Sequence, residues 1–152
     1  MSEETENIYI NNIDELFKDK RYRDVFEILY LLFKSKLNII MKGKKSEFQE
    51  IILSLYRRDI TLWKKFIVYV DLREKGRVLE DGPFESSLLL LTSKEGEPYA
   101  VIYIVSENEE IYPSKIFEIL RFSRKNSKEL FLAIIDKYGD ITYYNLSESN
   151  VF

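Results

Sequence analysis

The stretch Ser86 to Val105, "SSLLLLTSKEGEPYAVIYIV", sets two apolar runs on either side of a polar turn that contains a glycine. Short apolar runs bounded by turn residues read as β-strands, so the chain must build a sheet around this hairpin. Within it, the only side chains able to move a proton near neutral pH are Glu95 and Glu97. The whole chain has no His and no Cys. Its chemistry has to proceed without an imidazole or a thiol.

At 152 residues the chain has the size of one domain or two very small ones. It is 45% hydrophobic and 14% aromatic, enough for a real core, and its 5 Gly and 3 Pro argue against long disordered linkers. With 26 acidic against 23 basic residues the net charge is −3, which offers no global attraction to nucleic acid. RNA binding would need a local patch or a basic partner. The lack of Cys excludes a disulfide scaffold and fits a reducing interior. The absence of both Cys and His removes the ligands of most zinc sites, so no metal and no cofactor are expected. The acidic, polar start "MSEETENIYINN" is unlike a signal or transit peptide, and apolar runs such as "EILYLLF" are far too short to span a bilayer. A cytoplasmic globular protein is expected.

Residues 1–12 read as frayed. From Tyr22 onward, Val25, Ile28, Leu29, Leu32 and Phe33 recur at helical spacing. "LNII" then suggests a short strand before the basic turn "KGKK". Ser46 with Gln49 resembles a capping box ahead of a second helix through Phe48, Ile51, Ile52 and Leu55. Asp59 is placed to cap a third, carrying Trp63, Phe66, Ile67 and Val70, with Gly76 at its end. After the turn-rich "GRVLEDGP" and the hairpin, Pro113 opens a helix with Ile116, Phe117 and Leu120 on one side. "ELFLAIID", the turn "KYG" and "DITYYNL" form a second hairpin. The expected fold is α/β in the α+β sense. A small, mainly helical N-terminal domain with a short sheet (1–60) precedes a β-β-α-β-β mixed-sheet domain (61–152).

A metal-dependent nuclease of the restriction-enzyme type would need clustered carboxylates and an acid-x-Lys step. No acid-x-Lys occurs in the chain. Glu95 and Glu97 sit two apart on a turn, which reads as a solvated hairpin tip. There is no Gly-rich phosphate loop, and a Ser nucleophile would lack a His base. Arg121, Arg124, Lys125 and Lys128 cluster near the end of a helix. Such a run is either a solvated face favoured by the helix dipole or a phosphate-binding patch, and they are the candidate RNA contacts.

The segments "FIVYVDLREKGRVLEDG", "VIYIVSE" and "SKIFEILRFSRKNSKELFLAIIDKYGDITYYNL" closely resemble the C-terminal domain of archaeal tRNA-splicing endonucleases, from about Trp63 to Leu146. The "ILYLLFKSKLNI" unit is similar to that family's small N-terminal domain. The resemblance implies metal-free cleavage. A Tyr acts as base on the ribose 2′-hydroxyl, a His protonates the leaving 5′-oxygen, and a Lys steadies the charged phosphorane. The Tyr position falls at about Leu91 and the His position near Glu97, while Lys128 is retained. The resemblance therefore implies a structural, non-catalytic subunit in a two-plus-two heterotetramer with a catalytic paralogue that acts on precursor tRNA.

Two rival readings stay open: an enzyme in its own right using Glu97, Tyr99 or Tyr103 with Lys128, and a scaffold in an unrelated complex. Arg121, seven residues before Lys128, matches an arginine that helps clamp a bulged base in cutting subunits. "DKYGD", Asp136 to Asp140, reads locally as a hairpin turn with Gly139 at positive φ. In the family an acidic loop at this place inserts into a basic cleft on the opposite subunit, which singles out Asp136 and Asp140. Tyr143 and Tyr144 on the last strand, with Val151 and Phe152 beyond it, suggest a further subunit contact along a sheet edge.

Overall fold

The structure, a computed structural model, describes residues 5–147. Two compact units divide the chain, one running to Trp63 and the other beginning at Lys64.

The first unit opens with a strand where a frayed end was expected. In β1 (Glu6–Ile10), Ile8 and Ile10 are buried while Asn7 and Tyr9 are exposed. That alternation is short, and its partner lies some thirty residues on: β1 pairs in parallel with β2 (Leu37–Met41), Ile8 opposite Ile39. A 3-10 helix, Ile13–Lys18, and helix α1 (Val25–Phe33) lie between them in sequence. The Asp24 carboxylate caps α1 by accepting from the Phe26 and Glu27 amides. β3 (Lys44–Ser46) returns antiparallel to β2 through a two-residue loop, giving the order β1-β2-β3. Lys42 and Gly43 have φ of 52° and 80°, the double positive φ of a type I′ turn. Helix α2 (Phe48–Tyr56) follows. The expected capping box is not formed. Ser46 is the buried last residue of β3, and Glu47 at the N-cap makes no side-chain cap bond.

In the second unit, helix α3 (Leu62–Glu74) ends as its sequence suggests. Gly76 takes φ +84°, and the Arg77 amide reaches back to the Leu72 carbonyl at 2.9 Å, a Schellman closure. Then come β4 (Val78–Asp81), β5 (Ser87–Leu91), β6 (Pro98–Ser106), helix α4 (Pro113–Lys125), β7 (Glu129–Ile135) and β8 (Ile141–Asn145). They form one five-stranded sheet in sequence order, antiparallel except where α4 connects β6 to a parallel β7. The mixed-sheet α+β reading holds, with one strand added. β4 was hidden in "GRVLEDGP" because only one of its side chains, Leu79, is fully buried. Pairing with β5 makes it a strand, Val78 opposite Leu91 and Asp81 opposite Leu88.

Val101, Leu130 and Ile119 form a buried cluster that seats α4 on one face of the sheet. Ala133 and its cross-strand partner Tyr143 lie on the opposite face, where the Tyr143 hydroxyl donates to the Asp71 carboxylate of α3 at 2.7 Å. Lys65 of α3 is buried and ion-paired with Asp81 at the β4 edge. Helix α3 is thus tied to both outer strands. Phe117, on the side that spacing shares with Ile116 and Leu120, is 62% exposed, and the buried positions of α4 are Ile119 and Ser123, one turn apart.

Truncating Leu79 tests the added strand. Leu79→Ala should cost about 2–5 kcal/mol in urea unfolding, as for a buried leucine. A loss within the range of a surface substitution would return this segment to a turn.

Candidate active-site edge

The strands bring Leu91, Glu97 and Lys128, the three positions singled out by the resemblance, to one end of the sheet. β5 ends at Leu91, whose cross-strand partner is Pro98 at the start of β6, with a register irregularity at Leu90/Leu91. The connecting turn closes with the Thr92 amide on the Glu97 carbonyl at 3.1 Å. Gly96 is needed there for space, since a Cβ would lie 2.0 Å from Thr92 Oγ1. On the other side β7 begins beside β6, Ala100 opposite Glu129. The Lys128 ammonium reaches across to the Pro98 carbonyl at 3.4 Å. Leu91, Glu97 and Lys128 therefore meet around the mouth of the β5-β6 hairpin.

Of these three side chains, Leu91 has no group that can take up or give a proton. Leu91 is 5% exposed and belongs to the core. Glu97 and Glu95 are exposed on the turn. The half-buried Lys128 has a carbonyl for a partner, its backbone fixed by an amide bond to the Ser123 carbonyl at 2.7 Å. Among the described residues no group of three acidic side chains could hold a metal ion. Extending the β6–β7 register by one residue sets Tyr99 opposite Lys128. Tyr103 lies four residues farther along, about 13 Å at the strand rise, and in that register stands opposite Leu132. Its hydroxyl is pushed up by burial and by the carboxylates of Glu109, Glu118 and Glu85. Of the two tyrosines only Tyr99 shares the edge with Lys128.

The solvent face of α4 carries Phe117, Arg121, Arg124 and Lys125, which with Leu120 line an open depression. Phe117, grouped by helical spacing with Ile116 and Leu120, stands on this solvent face.

The β7-β8 turn is held from within. Asp136 Oδ1 accepts from the Tyr138 amide at 2.8 Å and the Asp140 amide at 3.0 Å, and Gly139 takes φ +87°. The Lys137 amide donates to the Glu107 carboxylate at 2.9 Å. Asp136 therefore shapes the loop, Asp140 is exposed on it, and Tyr138 at the tip is 79% exposed. Tyr138 and Glu107 went unnoticed in the sequence. Glu107 is distant in sequence, and nothing around Tyr138 distinguishes it from a turn residue. β8 is a sheet edge. On it Tyr144 is 49% exposed, whereas Tyr143 is engaged by Asp71. Val151 and Phe152 lie outside the described residues.

A mixed five-stranded sheet with a helix on each face, and a lysine at the start of the strand after the crossover helix, is an α+β arrangement consistent with a nuclease-like domain. Residues 62–143, more than half of the chain, match the tRNA intron endonuclease catalytic C-terminal domain, and the chain belongs to that family. Relatives described as tRNA-splicing endonuclease extend the likeness into the first unit. That of Pyrococcus horikoshii is 29% identical over 133 residues, covering 87% of this chain and 78% of the relative. Those of Thermococcus kodakarensis and Methanothermobacter thermautotrophicus are each 27% identical over 135 residues. They cover 87% and 86% of this chain and 80% and 78% of their own lengths. No helix among the described residues is long and apolar enough to cross a membrane.

The Tyr143–Asp71 bond has a pH signature. Burial, then the Asp71 carboxylate, pushes the Tyr143 hydroxyl far above its ordinary range. The fold thus favours its neutral form. This contribution is complete below the unfolded tyrosine value of about 10 and is lost as pH rises beyond it. Stability should fall above about pH 10 and fall less steeply in Tyr143→Phe, as read by denaturant midpoints. Parallel pH profiles would refute the coupling.

Proposed function

We propose that this chain is the structural, non-catalytic subunit of a tRNA-splicing endonuclease that removes introns from precursor tRNA in the cytoplasm. It assembles two-plus-two with a catalytic paralogue. One observation carries the reading: the end of the sheet where the resemblance expects Tyr, His and Lys brings together Leu91, Glu97 and Lys128. A buried leucine cannot take a proton from a 2′-hydroxyl, and a carboxylate near the leaving oxygen would set negative charge against the scissile phosphate. A lone lysine can stabilise charge but cannot run the transfer. The purified chain should leave precursor tRNA uncut and support cleavage when its paralogue is added. Cleavage by the chain alone would defeat the proposal. If that cleavage were lost in Tyr99→Phe, it would favour the autonomous enzyme, for which the Tyr99–Lys128 juxtaposition is the supporting geometry. In the assembled complex, Lys128→Ala should leave the cleavage rate unchanged.

The β7-β8 turn supports the assembly role. A loop pre-shaped by Asp136 presents the Asp140 carboxylate with little ordering cost on contact with a basic partner. An asparagine at position 136 keeps the acceptor oxygen that holds the turn, so the double change Asp136→Asn, Asp140→Asn removes charge without removing the loop. Desolvated interfacial charge pairs contribute on the order of 1.5–7 kcal/mol. The double variant should lower both heterotetramer mass and cleavage, most clearly at low salt, where the lost charge pairs are least screened. Wild-type assembly and activity there would show the loop to be only a turn. Tyr144 on the open β8 edge is the second contact proposed, and Arg121, Arg124 and Lys125 are the proposed RNA-facing side chains.

A further inference from the structure

The first unit carries a surface that the subunit role leaves unused. One face of its sheet is closed by Ile8, Ile10, Leu37, Ile39 and Ser46, all buried. The other face is open. Across its three strands runs the row Tyr9–Ile40–Lys45, fixed by the Tyr9–Ile40 and Ile40–Lys45 pairings. Tyr9 is 72% exposed, and among the described residues its ring stacks on no aromatic side chain and meets no cation. Beside it the Asn38 amide donates to the Asn7 side-chain carbonyl at 3.1 Å, a polar rung on the same face. The type I′ loop places Lys42 at the end of this face, its amide bonded to the Ile10 carbonyl at 3.0 Å. Lys42, Lys44 and Lys45 are all exposed, and none has an ion-pair partner among the described residues. The acidic residue at the start of β1, Glu6, accepts from the Tyr22 hydroxyl.

We propose that this open sheet face, with the Lys42–Lys45 hairpin at its rim, is a contact surface for unpaired RNA. Tyr9 is the platform for a base, and Lys42 and Lys45 hold the flanking phosphates. The choice of RNA rests on the splicing-subunit reading; the surface itself rests on charge and shape. An acidic chain with net charge −3 sets two exposed lysines, Lys42 and Lys45, beside an exposed aromatic ring. That pairing of a positive rim with a stacking platform is what sequence-tolerant single-strand binding uses. Two strand spacings of about 4.8 Å separate Tyr9 from Lys45, within reach of one lysine side chain and one nucleotide. A rigid sheet also holds these groups in place before the ligand arrives, which lowers the ordering cost.

The test uses the full chain and a short fluorescein-labelled oligouridylate, followed by anisotropy at several salt concentrations. Tyr9→Ala should weaken binding roughly 5- to 150-fold, the loss of one base stack, and Tyr9→Phe should restore it. The double change Lys42→Ala, Lys45→Ala should lower the slope of log affinity against log salt by about 1.4, two single-strand phosphates. Wild-type affinity in all these variants, or no binding by the wild-type chain, would overturn the proposal. So would variants that keep their RNA affinity but no longer associate with the paralogue, since the face would then be a protein interface. The oligonucleotide assay needs no cleavage. A complex that fails to splice while these effects hold therefore defeats the subunit reading alone, and the reverse outcome defeats only this surface.

Discussion

Strand β6 carries ladder bonds to β5 on one side and to β7 on the other, and the second unit depends on this double pairing. Ala100, Val101, Ile102, Ile104 and Val105 are all buried, so both faces of the strand must be covered. A strand of this kind is stable only between two layers. Helix α4 supplies one layer through Ile119, and α3 covers the other face, tied by Tyr143 to Asp71 and by Lys65 to Asp81. The parallel step from β6 to β7 requires a crossover, and α4 is that crossover. The same step delivers Lys128 to the start of β7, beside the β5-β6 turn. The convergence of Leu91, Glu97 and Lys128 is therefore a consequence of how the central strand is buried.

Where side chains announce their own environment, the sequence was legible. The apolar runs of β5, β6 and β7 needed no context, and Gly76 and Gly139 take the positive φ that their positions implied. What failed was whatever depends on a distant partner. β1 is a strand because β2 lies beside it, and β4 is one because β5 does. Ser46 has the residue type of a helix cap, but its pairing with Ile39 places it in β3. Phe117 has the residue type of a core position, yet the pitch of α4 turns it outward.

The candidate site was legible in a different way. Positions for the family's Tyr and His were inferred from motif order, and the structure adds the register that brings them to Lys128. Composition alone had removed the imidazole. Burial of Leu91 adds that the position expected for the base is part of the core packing. The turn at Asp136 shows a limit of reading charge from sequence. Two carboxylates look equivalent there, yet one builds the loop and the other is exposed on it.

The claim that this chain supplies assembly and no proton transfer meets its most direct test in a mixed complex. The wild-type chain is combined with a paralogue whose own base and acid residues have been removed, and single-turnover cleavage of precursor tRNA is measured. The account predicts a complex of full mass with no cleavage above that of the RNA alone. Cleavage sustained by that complex, and lost when Tyr99 or Lys128 of this chain is replaced, would contradict it.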